Sequence, residues 1–317
     1  MNDKHIWLLI FTLVPLYFLM DQSNPVRAPI TREWTLELAP QGVQFSIHRS
    51  WGGNNSYSSS TSHDFGDFRG LTRACMEAGG PAQFEMLRDA GTLACEGAFR
   101  NGGGGGTFVF SPSPDYVSAL RGLGYNGIDA NRLFELAVHN VSRAYIRELD
   151  EIGYHHLPFD ELVHLRIHGV TAAFAATLKK FSYGTFPTGQ LVELRIQRVT
   201  PEYMQGFRDM GYPRIAVDDL VLLRIHGVTT EFVNELRGMG YGRAGIDDLA
   251  QLRIHGVSAD FVKDLQSLGY RNVPLEELVQ LRIHGVTAPM IQRLQAAGYT
   301  NLSTDQLVQL KIRGVVE

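Results

Sequence analysis

The chain has 317 residues, of which 44% are hydrophobic and 20% are charged; this ordinary globular composition excludes a wholly disordered protein and leaves room for two domains. The formal net charge of -4 and the pI near 6.3 give no global electrostatic attraction to nucleic acid or to an anionic membrane surface. We therefore expect no nucleic-acid partner.

The first feature along the chain is an uncharged apolar segment from Ile6 to Met20. At about 1.5 Å per residue it spans about 22 Å, short of a roughly 30 Å hydrocarbon core, so its length favours a signal-peptide core. No small-x-small cleavage site follows, which favours an uncleaved anchor, and a buried core helix is the least favoured alternative. We predict that residues 1–28 are a signal-anchor or signal peptide. The protein is then membrane-anchored with its bulk extracytoplasmic, periplasmic or at the cell surface, or secreted if the segment is cleaved.

Residues 29–112 are predicted to form a small antiparallel β domain. Apolar and polar residues alternate in 35–38 and 43–47 around a Gln-Gly turn, which indicates a hairpin, and they alternate again from Gln83 to Arg88. Further strands are predicted over 92–99 and 107–110, a Ser-rich loop over 56–62 and a short helix within 68–78. The run Gly102 to Gly106 lacks the Gly-Lys-Ser/Thr and the helix of a phosphate loop, so a turn or flexible tip is favoured.

Two cysteines, Cys75 and Cys95, lie in this domain. In an oxidising compartment they could pair and close a loop of about twenty residues, which would stabilise the domain by roughly 3 kcal/mol. Two free buried thiols are the alternative. Neither cysteine has metal-type spacing to other cysteines or histidines.

From residue 113 the chain repeats with a period of 29 residues. The pentapeptide Arg-Ile-His-Gly-Val occurs four times, and seven units fill 113–315 of a predicted domain that covers 113–317. We predict an α+β protein of two domains, in which the β domain precedes an all-α solenoid of seven helix–turn–helix repeats. One valine marks the same position in every unit: Val141, Val170, Val199, Val228, Val257, Val286 and Val315.

Each repeat carries its own helix signals. Helix A begins after a Ser or Thr that caps the first turn, such as Thr229, and ends at a glycine followed by Tyr, such as Gly240. Helix B begins with acidic residues and ends with Arg and His, which matches the helix dipole at both ends. Three apolar columns, two of Leu and one of Ile, predict the stripe that each unit buries against the next. The Ile column reads Val138, Ile167, Ile196, Ile225, Ile254, Ile283 and Ile312.

A column of basic residues near the end of helix B is the candidate binding stripe. We favour a structural ladder in which these arginines pair with acids of a neighbouring helix B, and the alternative is a stripe that binds an anionic ligand. The candidate residues are Arg166, Arg195, Arg224, Arg253 and Arg282.

Histidines recur at the end of helix B, where they can cap carbonyl groups. His155, His156, His164 and His168 form the only local cluster and are weak metal candidates, since the His-Glu-x-x-His spacing is absent. No nucleophile elbow or paired carboxylates beside a nucleophile occur. We therefore predict no catalytic residues, no cofactor and no enzyme activity.

The unit 171–199 departs from the pattern. Ser182 replaces the glycine that ends helix A, and Gln197-Arg198 replaces His-Gly. Because a non-Gly residue in a left-handed cap costs about 1 kcal/mol, we expect a local change in stacking there. Unconstrained drift is favoured over a specific binding site.

The phrases Leu-Arg-Ile-His-Gly-Val-Thr and Leu-x-x-x-Gly-Tyr resemble the repeat-containing extracytoplasmic region appended to bacterial membrane metallopeptidases of the β-lactam-sensor type. The similarity covers roughly residues 80–317 and does not include the peptidase. It implies the compartment and a sensing partner, but no function for the repeats.

Together these features predict a non-enzymatic, membrane-anchored or exported bacterial scaffold for protein interactions, since stacked repeats commonly present a binding surface. The alternative is a regulatory subunit or inhibitor of an envelope peptidase or sensor. The predicted partners are another protein, such as an envelope metallopeptidase or sensor, and the membrane through Ile6 to Met20.

Overall fold

The computed structural model describes residues 30–51, 55–181 and 185–315. The predictions for Ile6 to Met20 and Ser182 lie outside these ranges. The chain divides into two compact units after Ala172, whereas the sequence placed its domain boundary between residues 112 and 113. The first unit contains the β sheet and two repeats, and the second contains the later repeats.

A seven-stranded antiparallel sheet, in the order β3-β2-β1-β7-β6-β5-β4, forms the core of the first unit. The α+β class is therefore confirmed. The strands are β1 Ile30–Leu38, β2 Val43–Trp51, β3 Asn55–His63, β4 Phe68–Arg69, β5 Gly80–Arg88, β6 Gly91–Arg100 and β7 Gly103–Pro112.

The predicted hairpin of β1 and β2 is present. Leu38 pairs with Val43, and Gly42 takes a left-handed φ of 85° in the turn between them. Alternate residues of β1, Trp34 and Leu36, are buried, as the period of two requires. The apolar face of the sheet is thus set by local alternation.

The glycine run is part of a strand, so the predicted turn or flexible tip is wrong. Gly103 to Gly106 pair with β1 on one side and β6 on the other. A Cβ on Gly104 would lie 2.3 Å from the Phe99 ring, and one on Gly106 would lie 2.0 Å from the Glu96 carbonyl oxygen. Glycine is required here because a large ring and a neighbouring strand occupy the side-chain space.

The Ser-rich segment predicted as a loop is also a strand. Residues 55–63 form β3, which pairs with β2 at the edge of the sheet. Gln44 Nε2 donates to Ser60 Oγ at 2.7 Å, and Ser62 Oγ donates to Gln44 Oε1 at 2.8 Å. These cross-strand hydrogen bonds suit an exposed polar edge strand, which the composition alone did not reveal.

A short helix and the second helix of the first repeat, Ala130–Val138, cover the buried side of the sheet. The short predicted helix is present as α1, Arg73–Ala78, although Phe68 and Arg69 form β4 instead. Met76 of α1 is fully buried. Phe134, in the first repeat, stacks on the Phe108 ring at 5.7 Å and meets Phe110 edge-on at 5.5 Å.

Each repeat yields a helix A followed by a helix B, so the predicted helix pairs are present. The helix A segments are α2 Pro114–Gly122, α4 Arg143–Glu151, α6 Ala172–Lys179, α8 Pro201–Asp209, α10 Thr230–Gly238, α12 Ala259–Ser267 and α14 Ala288–Ala296. The helix B segments are α3 Ala130–Val138, α5 Phe159–Ile167, α7 Thr188–Ile196, α9 Val217–Ile225, α11 Ile246–Ile254, α13 Leu275–Ile283 and α15 Thr304–Ile312.

The predicted caps define the helix ends. The Thr229 side chain accepts from the Phe232 amide at the start of α10. At its end, Gly240 has a φ of 100°, its amide donates to the Arg237 carbonyl, and the Tyr241 amide donates to the Leu236 carbonyl. This is a Schellman motif, and helix B closes in the same way at its own glycine.

In the second unit, successive B helices pack on one another. Contacts join α7 to α9, α9 to α11, α11 to α13 and α13 to α15. The two leucines of α11, Leu249 and Leu252, are fully buried. Because these helices have only nine residues, this packing stabilises them more than their intrinsic propensity does.

Within the three described ranges, no helix is long and apolar enough to cross a bilayer. Their longest helices have nine residues, about 14 Å of helix against a hydrocarbon core of roughly 30 Å. This finding contradicts the predicted membrane-anchored location, which rested on a segment outside these ranges.

Candidate interaction surface

The Ile column of helix B is exposed, so its predicted place in the buried stripe is wrong. Its six isoleucine side chains are between 43 and 58% exposed, whereas Val138 of the first repeat is half-buried. Each isoleucine follows the second leucine of its helix by two residues, a rotation of about 200° on a helix, and therefore projects from the opposite side. In the second unit we call them the isoleucine row: Ile196, Ile225, Ile254, Ile283 and Ile312. Ile167 has the same exposed position in the first unit.

Two polar rows accompany the isoleucine row. In α11 the exposed residues Asp247, Gln251 and Ile254 are separated by four and three residues, so they share one helix face. The same spacing recurs in α13 and α15. The acidic row comprises Asp218, Asp247, Glu276 and Asp305, and the glutamine row comprises Gln251, Gln280 and Gln309.

A cleft of about 220 Å³ lies between α11 and α13, on this face. Asp248 and Glu276 supply carboxylates from the two helices, and Leu275 and Val279 supply aliphatic surface. The glutamine row reaches the same cleft through Gln251 and Gln280, so acidic, amide and apolar groups line it together.

The arginine stripe has a structural role, although not the predicted one. Arg282 lies over the ring of Phe261 in its own repeat, with Cζ 5.0 Å from the ring centroid. Its Nε donates to the carbonyl oxygen of Gly256, in the preceding repeat, at 3.0 Å. The same arginine–ring pairing joins Arg166 to Tyr145, Arg195 to Phe174, Arg224 to Tyr203 and Arg253 to Phe232, at 5.0 to 5.5 Å.

No carboxylate in the described part of the chain forms an ion pair with these five arginines, so the predicted acid ladder is wrong. The rings belong to helix A of the same repeat, whereas the predicted pairing involved helix B residues alone. A guanidinium at the end of helix B also meets the partial negative charge of the preceding helix B. The anion-binding stripe stays a prediction.

The four candidate metal histidines do not converge. His155 Nδ1 is 2.8 Å from Asp150 Oδ1, whereas the ring of His156 packs beside Tyr125 with centroids 6.0 Å apart. His164 and His168 lie edge to face with centroids 4.7 Å apart. Among the described residues no group of three or more His, Cys, Asp or Glu side chains has the geometry to hold a metal ion.

The recurring histidines occupy the C-cap position of helix B, as in α11, where His255 follows the last helical residue. In the first repeat, burial and the nearby Arg166 lower the pKa of His139. The His139 carbonyl oxygen accepts a hydrogen bond from Arg166 Nε at 3.2 Å. This contact between a side chain and a backbone carbonyl joins two successive repeats.

Cys75 and Cys95 are free thiols, so the structure contains no disulfide between them. Cys95 is buried and Cys75 is half-buried. Cys75 Sγ donates to the Thr72 carbonyl oxygen at 2.9 Å within the first turn of α1. Burial raises the pKa of the Cys95 thiol to about 12. Cys95 is therefore a protonated core side chain at neutral pH.

The sequence did not predict one partly buried polar cluster, because Arg88 lies 21 and 25 residues from its two partners. His63 Nδ1 lies 3.0 Å from Asp67 Oδ2, and Arg88 Nη1 lies 3.2 Å from Asp67 Oδ1. The His63 ring meets the rings of Phe45 and Phe68 edge-on. In the described ranges no hydroxyl or thiol is hydrogen-bonded to His63, so the cluster holds a base and its orienting carboxylate without a nucleophile.

The deviant unit retains its helix B. Arg198 adopts a left-handed φ of 55° at the position where the first unit has Asn140 and the other five units have glycine. A cavity of about 310 Å³ lies beside this unit, lined by Phe186, Met204 and Tyr212 among others. Arg208 lies over the Phe181 ring at this cavity, 5.8 Å from its centroid.

In comparisons with known proteins, no protein-family model and no curated protein matches the chain. The resemblance to the region appended to sensor-type peptidases therefore stays a prediction, as does the bacterial envelope origin that it implies.

Proposed function

We propose that this protein is a non-enzymatic scaffold for protein interactions, in which residues 113–317 form an α-solenoid of seven repeats. The observation that carries the proposal is the isoleucine row. A large apolar side chain that recurs in a repeat normally belongs to the buried interior. Here the same exposed position is isoleucine in every repeat from the second to the seventh.

The remaining repeated residues account for the fold itself. Caps, buried leucines, terminal glycines and the arginine–ring pairs each stabilise a helix or join two repeats. The isoleucine row contributes less to that interior than the buried leucines do, because about half of its surface faces solvent. An apolar surface that recurs at the same exposed position supports a binding role.

Site-specific photo-cross-linking tests the scaffold. A benzoyl-phenylalanine at position 251 lies on the proposed surface, and one at exposed Asn234 of helix A serves as the matched control. In cells that produce the protein, we expect protein adducts from position 251 and few from position 234. Equal adducts at both positions, or none at position 251, would contradict the scaffold.

The solenoid is tested by X-ray scattering from the full chain. A compact protein of 317 residues has a radius of gyration of about 20 Å. A stack of repeats is elongated, so we expect a clearly larger radius and a skewed distance distribution. A radius near 20 Å would contradict the solenoid.

A further inference from the structure

The isoleucine row presents apolar contacts at regular intervals. The B helices that carry it pack against one another from α7 to α15, and packed helices lie about 8 to 10 Å apart. A ligand that follows the row must therefore present an apolar group about every 8 to 10 Å. A polypeptide in the polyproline II conformation advances about 9.3 Å in three residues, which meets this requirement.

The glutamine row distinguishes an extended ligand from a helical one. A bound α-helix satisfies its own backbone groups, whereas a polyproline II segment has no internal hydrogen bonds. Gln251, Gln280 and Gln309 are exposed next to the isoleucine row, and each carboxamide offers two donors and an acceptor. Such groups, repeated at the spacing of the helices, match the backbone of an extended chain.

The acidic row determines the charge of the ligand. Asp218, Asp247, Glu276 and Asp305 are exposed, and no ion pair within the described ranges involves them. The cleft between α11 and α13 combines carboxylates of Asp248 and Glu276 with the aliphatic side chains of Leu275 and Val279. A Lys or Arg side chain fits this combination because its stem is apolar and its end is cationic.

We propose that the helix B face of the second unit binds a basic polypeptide segment in the polyproline II conformation. One residue in three contacts the isoleucine row, the next directs a cationic side chain to the acidic row, and the third faces solvent. The glutamine row holds the backbone between them. This inference rests on the proposed scaffold function and specifies the class of its partner.

The test measures binding of the full chain to a fluorescent peptide of four Leu-Lys-Pro repeats by fluorescence anisotropy. We expect saturable binding that the double substitution Ile254→Ser and Ile283→Ser weakens at least tenfold. Leu87→Ser removes an equally exposed apolar side chain from the β sheet and should leave the affinity unchanged. Because about half of each isoleucine side chain faces solvent, the double variant should keep the helical circular dichroism of the wild type and remain folded at the temperature of the assay.

Two further peptides test the charge and the conformation. Four Leu-Glu-Pro repeats should bind at least tenfold more weakly, and so should an Ala-based amphipathic helix with Leu and Lys at heptad spacing. Equal or tighter binding of either peptide would overturn the proposal, and so would an unchanged affinity of the isoleucine variant. Adducts at position 251 without Leu-Lys-Pro binding would refute this ligand but retain the scaffold, whereas neither adducts nor binding would refute both.

Discussion

At the scale of single residues, the terminal glycines of the helices are set by backbone conformation. They take left-handed φ values, such as 100° at Gly240 and 72° at Gly256, which L side chains rarely adopt. The space beside Gly256 does not require glycine, since a Cβ there would lie 3.5 Å from Arg282 Nη2, an ordinary contact distance. The repeated glycine in the sequence thus marks a helix end through its backbone conformation.

The substitution Gly240→Val should destabilise the protein by about 1 kcal/mol or more, because a β-branched side chain is strained at a left-handed φ. Chemical denaturation monitored by circular dichroism measures the loss. The matched control is Gly238→Ala, at the last helical residue of α10, where an added Cβ meets no atom within 4 Å. It should stabilise by about 0.5 to 1 kcal/mol, and destabilisation by both changes would contradict this assignment of the helix end.

The His63 cluster makes stability depend on pH. Burial lowers the pKa of His63 below its ordinary 6.5, although the hydrogen bond to Asp67 opposes this effect. The unfolded chain therefore binds a proton at His63 more readily than the folded chain does. The contribution of neutral His63 to the folding free energy is present above pH 6.5 and is lost as the pH falls below that value. Burial alone would raise the pKa of Asp67, but hydrogen bonds from Arg88 and His63 bring it below 3.8, and its contribution is lost only in more acidic solution.

The substitution His63→Gln tests this pH dependence, because glutamine retains a hydrogen-bond donor and does not titrate. Melting temperatures at pH 7.5, 6.5 and 5.5 should fall less with pH in the variant than in the wild type. Parallel pH curves for the two proteins would show that His63 does not cause the loss.

At the scale of elements, an arginine near the end of helix B can join three segments, as Arg282 does. Arg282 contacts the Phe261 ring of α12 and the Gly256 carbonyl at the end of the preceding repeat. Two helices of nine residues and their neighbour are thereby fixed at one point. A lysine would lack the planar group that stacks on a ring and donates sideways at the same time.

The substitution Arg282→Met keeps most of the apolar stem and removes the guanidinium. We expect a loss of about 1 to 2 kcal/mol, from one cation–π contact and one hydrogen bond to a carbonyl. Arg271→Met, at an exposed loop position, should change stability by less than about 0.5 kcal/mol. In a double-mutant cycle with Phe261→Leu, additive effects would show that the two side chains do not interact.

At the scale of the whole molecule, two compact units divide the chain after Ala172. Each has its own buried residues, such as Trp34 and Phe108 in the first and Leu249 and Leu281 in the second. In repeat proteins, stability is roughly a sum of local terms, so a local defect has a local effect.

Hydrogen exchange of the Gly240→Val variant tests this independence. Amides of α10 and α11 should exchange faster than in the wild type, whereas amides of β6 and β7 should keep their protection. Mass spectrometry of peptic fragments resolves the two regions. A uniform rise in exchange across both units would mean that they unfold as one.

The period of 29 residues by itself determined the helix pairs, their caps and their terminal glycines, because these features depend on residues within one or two turns of each other. The hairpin of β1 and β2 was predictable for the same reason. Only the tertiary structure decided how distant segments meet. Gly104 pairs with β1 and β6 in a strand, where the Phe99 ring occupies the space of a side chain. Arg282 contacts a ring and a carbonyl rather than an acid. The exposure of the isoleucine row was also decided by the tertiary structure, since these residues were predicted to be buried with the leucines but are about half exposed. The polar rows beside them form one surface only because successive B helices pack together.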